Sequence, residues 1–244
     1  KATPDGYTIL MGTIGTQAIN YSLYSKLTYH PLKSFTPVGL TGESPNALVI
    51  SPKLQVASIQ DLIALAKSKP GQINYGSSGS GTTVHLSAEL FSVMTGIKMT
   101  HVPHKGAAEA LTSLLGGQTD LMFASLSSSI SLIKAGRLKA FAVTGAQRSP
   151  SIPELPTVAE AANLPGYAAT AWYGIVGPAG LSPSVVAKLS KATLAALGDE
   201  SVKKRMFNAG VEIRTSTPQE FSHYIASEIE KWAKVVKASG AHVD

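Results

Sequence analysis

The hydrophobic and polar positions change period several times along the 244 residues, and each change marks an element. Short apolar runs bounded by Gly, Pro, Ser and Asn predict strands over residues 7–11, 47–51, 73–75, 98–102, 121–123, 139–143 and 172–176. Between them, apolar residues recur every three or four positions. That spacing predicts helices over 58–67, 82–95, 107–115 and 128–135, with a short helical turn near 20–24. Ser58 caps the first of these, with Asp61 three positions on, close to a capping box. Residues 149–167 are rich in Pro and read as irregular. Three more helices follow, over 183–197, 201–208 and 218–239. The last opens on Thr217, Pro218 and Glu220, a capping box with Pro at the first helical position. Its stripe of Phe221, Tyr224, Ile225, Ile229, Trp232 and Val236 marks a core-facing side.

The strand–helix alternation from 73 to 143 predicts an α/β fold, with a parallel sheet and helices on its faces. The strand ends share a character. Gly and Ser follow Tyr75, Pro103-His104-Lys105-Gly106 follows Val102, Ala124-Ser125-Leu126-Ser127-Ser128 follows Phe123, and Thr144-Gly145 follows Val143. In open parallel sheets ligands bind beyond the carboxyl ends of the strands. The same small polar residues also favour ordinary turns. Strands at 47–51 and 172–176 carry the chain into and out of this region, which predicts two lobes. Residues 1–44 with 172–244 form the first, and residues 45–171 form the second, βαβ-rich lobe. Ligand pockets favour such domain boundaries.

The most informative stretch is Asn74-Tyr75-Gly76-Ser77-Ser78-Gly79-Ser80-Gly81-Thr82-Thr83-Val84-His85. A strand enters a Gly/Ser loop and a helix leaves it, so unpaired N–H groups and the positive end of the helix dipole meet there. With hydroxyls but no Lys, Arg or acid inside it, the loop suits a small oxyanion such as a carboxylate. A phosphate loop needs Gly-Lys-Ser/Thr, and Thr82 follows Gly81. Neither the dinucleotide spacing nor the hydrolase elbow fits. The plain alternative is that Ser77 or Ser80 only caps the helix.

Composition narrows the classes. Without cysteine there are no disulfides, thiolate metal sites or cysteine nucleophiles. Charged residues are 15% and hydrophobic residues 44%, which marks a well-buried globular chain. The net charge is +6, but the densest basic cluster is only Lys203-Lys204-Arg205 and aromatics are not interleaved with the bases. A nucleic-acid partner is therefore not expected, although a mild positive field favours anionic small ligands. No apolar stretch is long enough to span a bilayer. None of the histidines (His30, His85, His101, His104, His223, His242) pairs at metal-ligand spacing with an acid between, so no metal is expected. His85 reads as packing or capping. His104 and Lys105 form a cationic pair at a strand end. Glu109 and Asp120 are the nearest acids, with no second carboxylate in partnership, so neither an acid–base pair nor a cofactor site is visible. A hydrolase acting on an anionic substrate would have to use Ser80 with His85 or His104.

The chain resembles the Bug-type (TctC-like) extracytoplasmic solute receptors of tripartite tricarboxylate transporters. The resemblance rests on Ala2–Thr8, Met11–Thr16, Ile73–Thr82, Val102–Ala107, Leu114–Gln118, Lys134–Leu138, Pro153–Glu160 and Trp172–Gly174, and runs to the C-terminus. It implies a two-lobed, type II-like Venus-flytrap fold in the periplasm, a small carboxylate held between the lobes, and delivery to the transporter's membrane permease subunits. By position, Ser77, Ser78, Gly79, Ser80, Gly81, Thr82 and Thr83 become the second-lobe clamp. Thr13, Gly15, Thr16 and Gln17 line the first lobe. Ala124 and Ser125 contact the ligand body. Read from its own place at a strand end, the His104-Lys105 pair either contacts a distal carboxylate of the ligand or is plain surface. The resemblance also implies a strand–loop–helix segment ahead of Lys1. The chain opens without Met and reads as processed or truncated, so an export signal is expected to precede it. The family often has His at position 17, Tyr at 104 and Asp at 124. With Ala124 in place of the acid, an ammonium partner is lost, and a plain mono- or dicarboxylate or an aromatic acid is expected over an amino acid. Closure is expected at the crossings near 41–45 and 170–173. A carboxylate-sensing module for signalling would use the same pocket.

Overall fold

The computed structural model describes residues 2–240. His242 and the other terminal residues assigned above to the first lobe lie outside them. In chain order, β1 (Leu10–Thr13) leads through a π-helical turn, Gly15–Ile19, into α1 (Asn20–Leu23) and β2 (Phe35–Ile50). Then come α2 (Ile59–Ser68), β3 (Asn74–Ser77), α3 (Thr83–Thr95), β4 (Thr100–Pro103), α4 (Ala107–Gly116), β5 (Leu121–Ser125), α5 (Leu126–Lys134), β6 (Lys139–Val143) and α6 (Val158–Ala161). The chain closes with β7 (Thr170–Pro178), α7 (Pro183–Gly198), α8 (Glu200–Asn208), β8 (Glu212–Ile213) and α9 (Pro218–Ser239).

Two compact units result. One is formed by the chain up to Glu43 and from Ala171 on, the other by Ser44–Thr170. In the first unit β7 lies between antiparallel β1 and the leading half of β2, and β8 pairs with Gly42 and Glu43. Helix α9 packs on the π-helical turn and α1. Its residues Phe221, Ile225, Trp232 and Val236 are buried, as the stripe predicted. Glu228 is buried beside them, its Oε2 accepting from the indoles of Trp172 (3.0 Å) and Trp232 (2.9 Å), and Lys231 pairs with its other oxygen. Two indole donors and an ammonium offset the desolvation of that carboxylate.

In the second unit the strand order is β6-β2-β5-β3-β4. β3 runs parallel to β4 and β5, but β2 runs antiparallel to both β5 and β6. The parallel direction expected over residues 73–143 thus holds, and antiparallel β2 makes the sheet as a whole mixed. The βαβ crossovers keep β3 to β6 in one direction, whereas β2 enters as a continuation of the first unit's sheet. Ala47, Val49, Val84, Ala110, Leu114, Met122 and Ala124 belong to the apolar core beneath the helices.

The elements differ from expectation where local pattern is weak. The first strand begins at Leu10 instead of residue 7, because the Tyr7 amide turns back onto Asp5 Oδ1 and its ring is exposed. β2 has sixteen residues, and Thr, Gly, Glu and Pro interrupt its apolar run so that only the end reads as strand. α6 lies inside the Pro-rich segment and is secured by a Thr157–Glu160 capping box. α5 starts at Leu126, two residues early.

Candidate functional site

The Gly/Ser loop lies at the carboxyl end of β3, where parallel pairing sets Ser77 opposite Pro103 of β4. Gly79 (φ +124°) and Gly81 (φ +76°) take backbone conformations that residues with a Cβ rarely adopt. The helix cap is Thr82, whose hydroxyl accepts from the His85 amide (3.4 Å) and donates to Gly79 O (2.7 Å).

The loop's donors divide into two sets. Gly79 N–H is taken by Ser77 Oγ (3.1 Å), Gly81 N–H by His85 Nδ1 (3.1 Å) and Thr82 N–H by Gly79 O (3.4 Å). The amides of Ser78, Ser80, Thr83 and Val84 have no acceptor among the described residues. Neither do the hydroxyls of Ser80 and Thr83. Ser80 is exposed, while Ser78, Gly79, Gly81, Thr82 and Thr83 are half-buried. An oxyanion at this end of α3 meets unpaired N–H groups and the positive end of the helix dipole.

Beneath the loop lies an aromatic stack. The rings of His85 and His101 are 4.0 Å apart and nearly parallel, and Tyr75 stacks on His101 at 4.9 Å. His101 Nε2 is 2.6 Å from Ser77 Oγ. The Tyr75 hydroxyl donates to Glu89, whose Oε1 also faces His85 Nε2 at 3.7 Å. Burial, with the nearby His101, lowers the His85 pKa to about 4. Burial and then His104 lower that of His101. Burial raises that of Tyr75, helped by Glu89. The ring nitrogens are thus neutral at ordinary pH.

The other expected site residues fall as follows. Ser77 is fully buried, and its hydroxyl shapes the loop. His104 donates its amide to Ser77 O (3.0 Å). Its Nδ1 faces Glu109 at 3.6 Å, and its buried Nε2 has no partner among the described residues. Ala124 is fully buried, with its methyl in the apolar core. Its place on a strand flanked by β2 and β3 explains the burial. Ser125 is half-buried at the same strand end, its hydroxyl 3.0 Å from that of Ser127. In the first unit, Thr13 and Thr16 exchange amide-to-hydroxyl bonds of 3.0 and 3.2 Å. Gly15 adjoins Thr13. Gln17 is fully buried with neither end of its amide partnered among the described residues, and a Cβ at Gly12 would lie 2.9 Å from its Cγ. π-Helical turns of this kind are frequent at functional sites.

The sequence reading missed the stack itself. His101 and Tyr75 are directly paired across β3 and β4, and only the sheet register shows that. Among the described residues no group of His, Cys, Asp or Glu is placed to hold a metal, and no helix is long and apolar enough to cross a membrane. No hydrogen bond joins Ser80 to a histidine among the described residues. The serine whose hydroxyl meets a histidine ring among the described residues, Ser77, has no exposed surface.

An α/β fold of this layout, with a donor-rich loop at a strand end, is that of the two-lobed periplasmic solute-binding proteins. The chain belongs to the tripartite tricarboxylate transporter family of receptors (TctC, or Bug), whose model matches residues 1–241. It is 32% identical to BugT of Bordetella pertussis, over 99% of this chain and 74% of BugT. Among solved structures it is similar to Rpa4515 of R. palustris with adipate, at 38% identity and a TM-score of 0.78, covering 100% of this chain and 81% of that one. It is also similar to MatC of Rhodopseudomonas palustris with bound malate, at 31% identity and a TM-score of 0.74, covering 96% and 81%. The family is one of transporter receptors.

Proposed function

We propose that this chain binds a small carboxylate in the periplasm and passes it, unchanged, to the membrane permease subunits of a tripartite tricarboxylate transporter. One observation carries the reading: four donors around the N-terminus of α3, the amides of Ser78, Ser80, Thr83 and Val84, have no acceptor among the described residues. One carboxylate group of the ligand sits on these amides, joined by the Ser80 and Thr83 hydroxyls. Ser125 and the unpaired Nε2 of His104 are the further contacts of this unit. Thr13, Gly15, Thr16 and Gln17 are the candidates on the other. The relatives' ligands, adipate and malate, favour a dicarboxylate.

The test is calorimetry against a panel of mono-, di- and tricarboxylates, aromatic acids and acidic amino acids, with the compound recovered and analysed afterwards. Selective binding of one class, with the compound intact, is the expected result. No heat with any carboxylate overturns the anion-loop reading, and turnover of the compound moves the protein to the hydrolases.

A further inference from the structure

We infer that His85, with His101 stacked on it, is a positioning residue of the anion loop: its neutral Nδ1 draws the Gly81 amide inward and leaves the flanking amides turned towards the ligand. The inference rests on the carboxylate reading above. The loop alternates. Gly79 N–H turns in to Ser77 Oγ, which is held 2.6 Å from His101 Nε2, and Gly81 N–H turns in to His85 Nδ1. Ser78 and Ser80, the residues before each, present amides with no acceptor among the described residues. Gly79 and Gly81 are also the positive-φ positions of the loop, so each inward turn falls where the backbone is free to make it.

The tautomer follows from the partners. Nδ1 accepts from Gly81, so the ring proton sits on Nε2, facing Glu89 Oε1 at 3.7 Å. Tyr75 donates to that same oxygen and holds the carboxylate in place. The titratable groups set against His85 are therefore Tyr75 of β3, His101 of β4 and Glu89 of its own helix. His104 lies one step further out, beside His101, and Glu109 faces His104. Burial keeps His85 neutral until the solution is acid, when its pKa of about 4 is reached. An imidazolium has no acceptor to offer, and its new N–H points at the Gly81 N–H. The Gly81 peptide then has to turn, and the neighbouring donors lose their common aim.

The test uses the isotope-labelled protein and two variants. In the ligand-free wild type, NMR reads the His85 tautomer and follows the Gly81 amide from pH 7 towards pH 3.5. Calorimetry with adipate at pH 7 then compares wild type, His85→Asn, whose side-chain oxygen stands where Nδ1 stood, and His85→Phe. The expected result is an Nε2–H tautomer and a Gly81 amide that titrates with His85. Loss of one hydrogen bond predicts roughly tenfold weaker adipate binding in His85→Phe and restoration to within about threefold in His85→Asn. A Gly81 amide that ignores the His85 titration overturns the inference, as do equal losses in both variants, which would mark packing alone. If wild type binds no carboxylate, the functional reading falls, and the amide titration still decides the positioning role.

Discussion

The Gly81 amide hydrogen-bonds to Nδ1 of His85, 3.1 Å away and four residues further along the chain. A loop amide that the α3 N-terminus leaves unpaired is thereby satisfied from below, by a side chain of the helix it introduces. Because that acceptor must be neutral, the shape of the loop is tied to a protonation state.

The first prediction is a pH dependence of stability. The His85 pKa is depressed from 6.5 to about 4 in the folded protein, so between those values the unfolded chain binds more protons. Stability from this group is complete above pH 6.5 and is lost as the pH falls to 4, by up to about 3 kcal/mol. His101 acts in the same direction. Urea unfolding at pH 7.5, 5.5 and 4.5 measures the slope, and His85→Asn should flatten it.

A second prediction concerns the cap. Thr82 holds both the His85 amide and Gly79 O, and Thr82→Ala should cost about 1 kcal/mol of stability as well as weaken ligand binding. Ser78→Trp, at a half-buried loop position, should abolish binding while leaving the melting temperature nearly unchanged. Thermal melts and calorimetry on the two variants separate these effects, and full affinity in both would remove the loop from the site.

Glu228 offers a test of the first unit alone. Removing its carboxylate leaves the indole N–H groups of Trp172 and Trp232 without an acceptor in a core where each ring is fully buried. Glu228→Ala should lose about 3 kcal/mol or more in denaturant unfolding. Glu228→Gln keeps an acceptor and should lose less. A small loss in both variants would show that water takes the carboxylate's place.

Two glycines should respond oppositely to Ala. A Cβ at Gly174 of β7 would stand 2.2 Å from Phe221 Cζ and 2.9 Å from Gly39 O, with Phe221 fully buried. Gly174→Ala should cost about 3 kcal/mol through overpacking. At Gly116, the end of α4, a Cβ meets nothing within 4 Å, and Ala should stabilise by about 0.5 kcal/mol. Chemical denaturation of the pair checks both signs.

What the sequence by itself determined was local. The 3.6-residue periods marked α3, α4, α7 and α9, with Thr82, predicted as the first helical residue, standing instead as the cap, and with the Thr217–Glu220 box in place. The Gly/Ser composition marked Ser77–Thr83 as a donor-rich loop, because backbone freedom and hydroxyl chemistry belong to the residues themselves. The matched family stretches carried the fold class, since they run the length of the chain.

Only the tertiary structure decided which donors are spent and which remain. Ser77 looks like Ser80 in the sequence, yet its hydroxyl is buried against His101 while Ser80 is exposed, and the Gly81 amide is bound to His85 while the Ser80 amide beside it has no acceptor among the described residues. The pairing of Tyr75 with His101, which builds the stack, is a register between β3 and β4 across twenty-six positions of chain. Register, the direction of β2, and the burial of Ala124 and Gln17 depend on which strands and helices meet. Those meetings are set by packing between residues distant in sequence, and local periodicity holds no record of them.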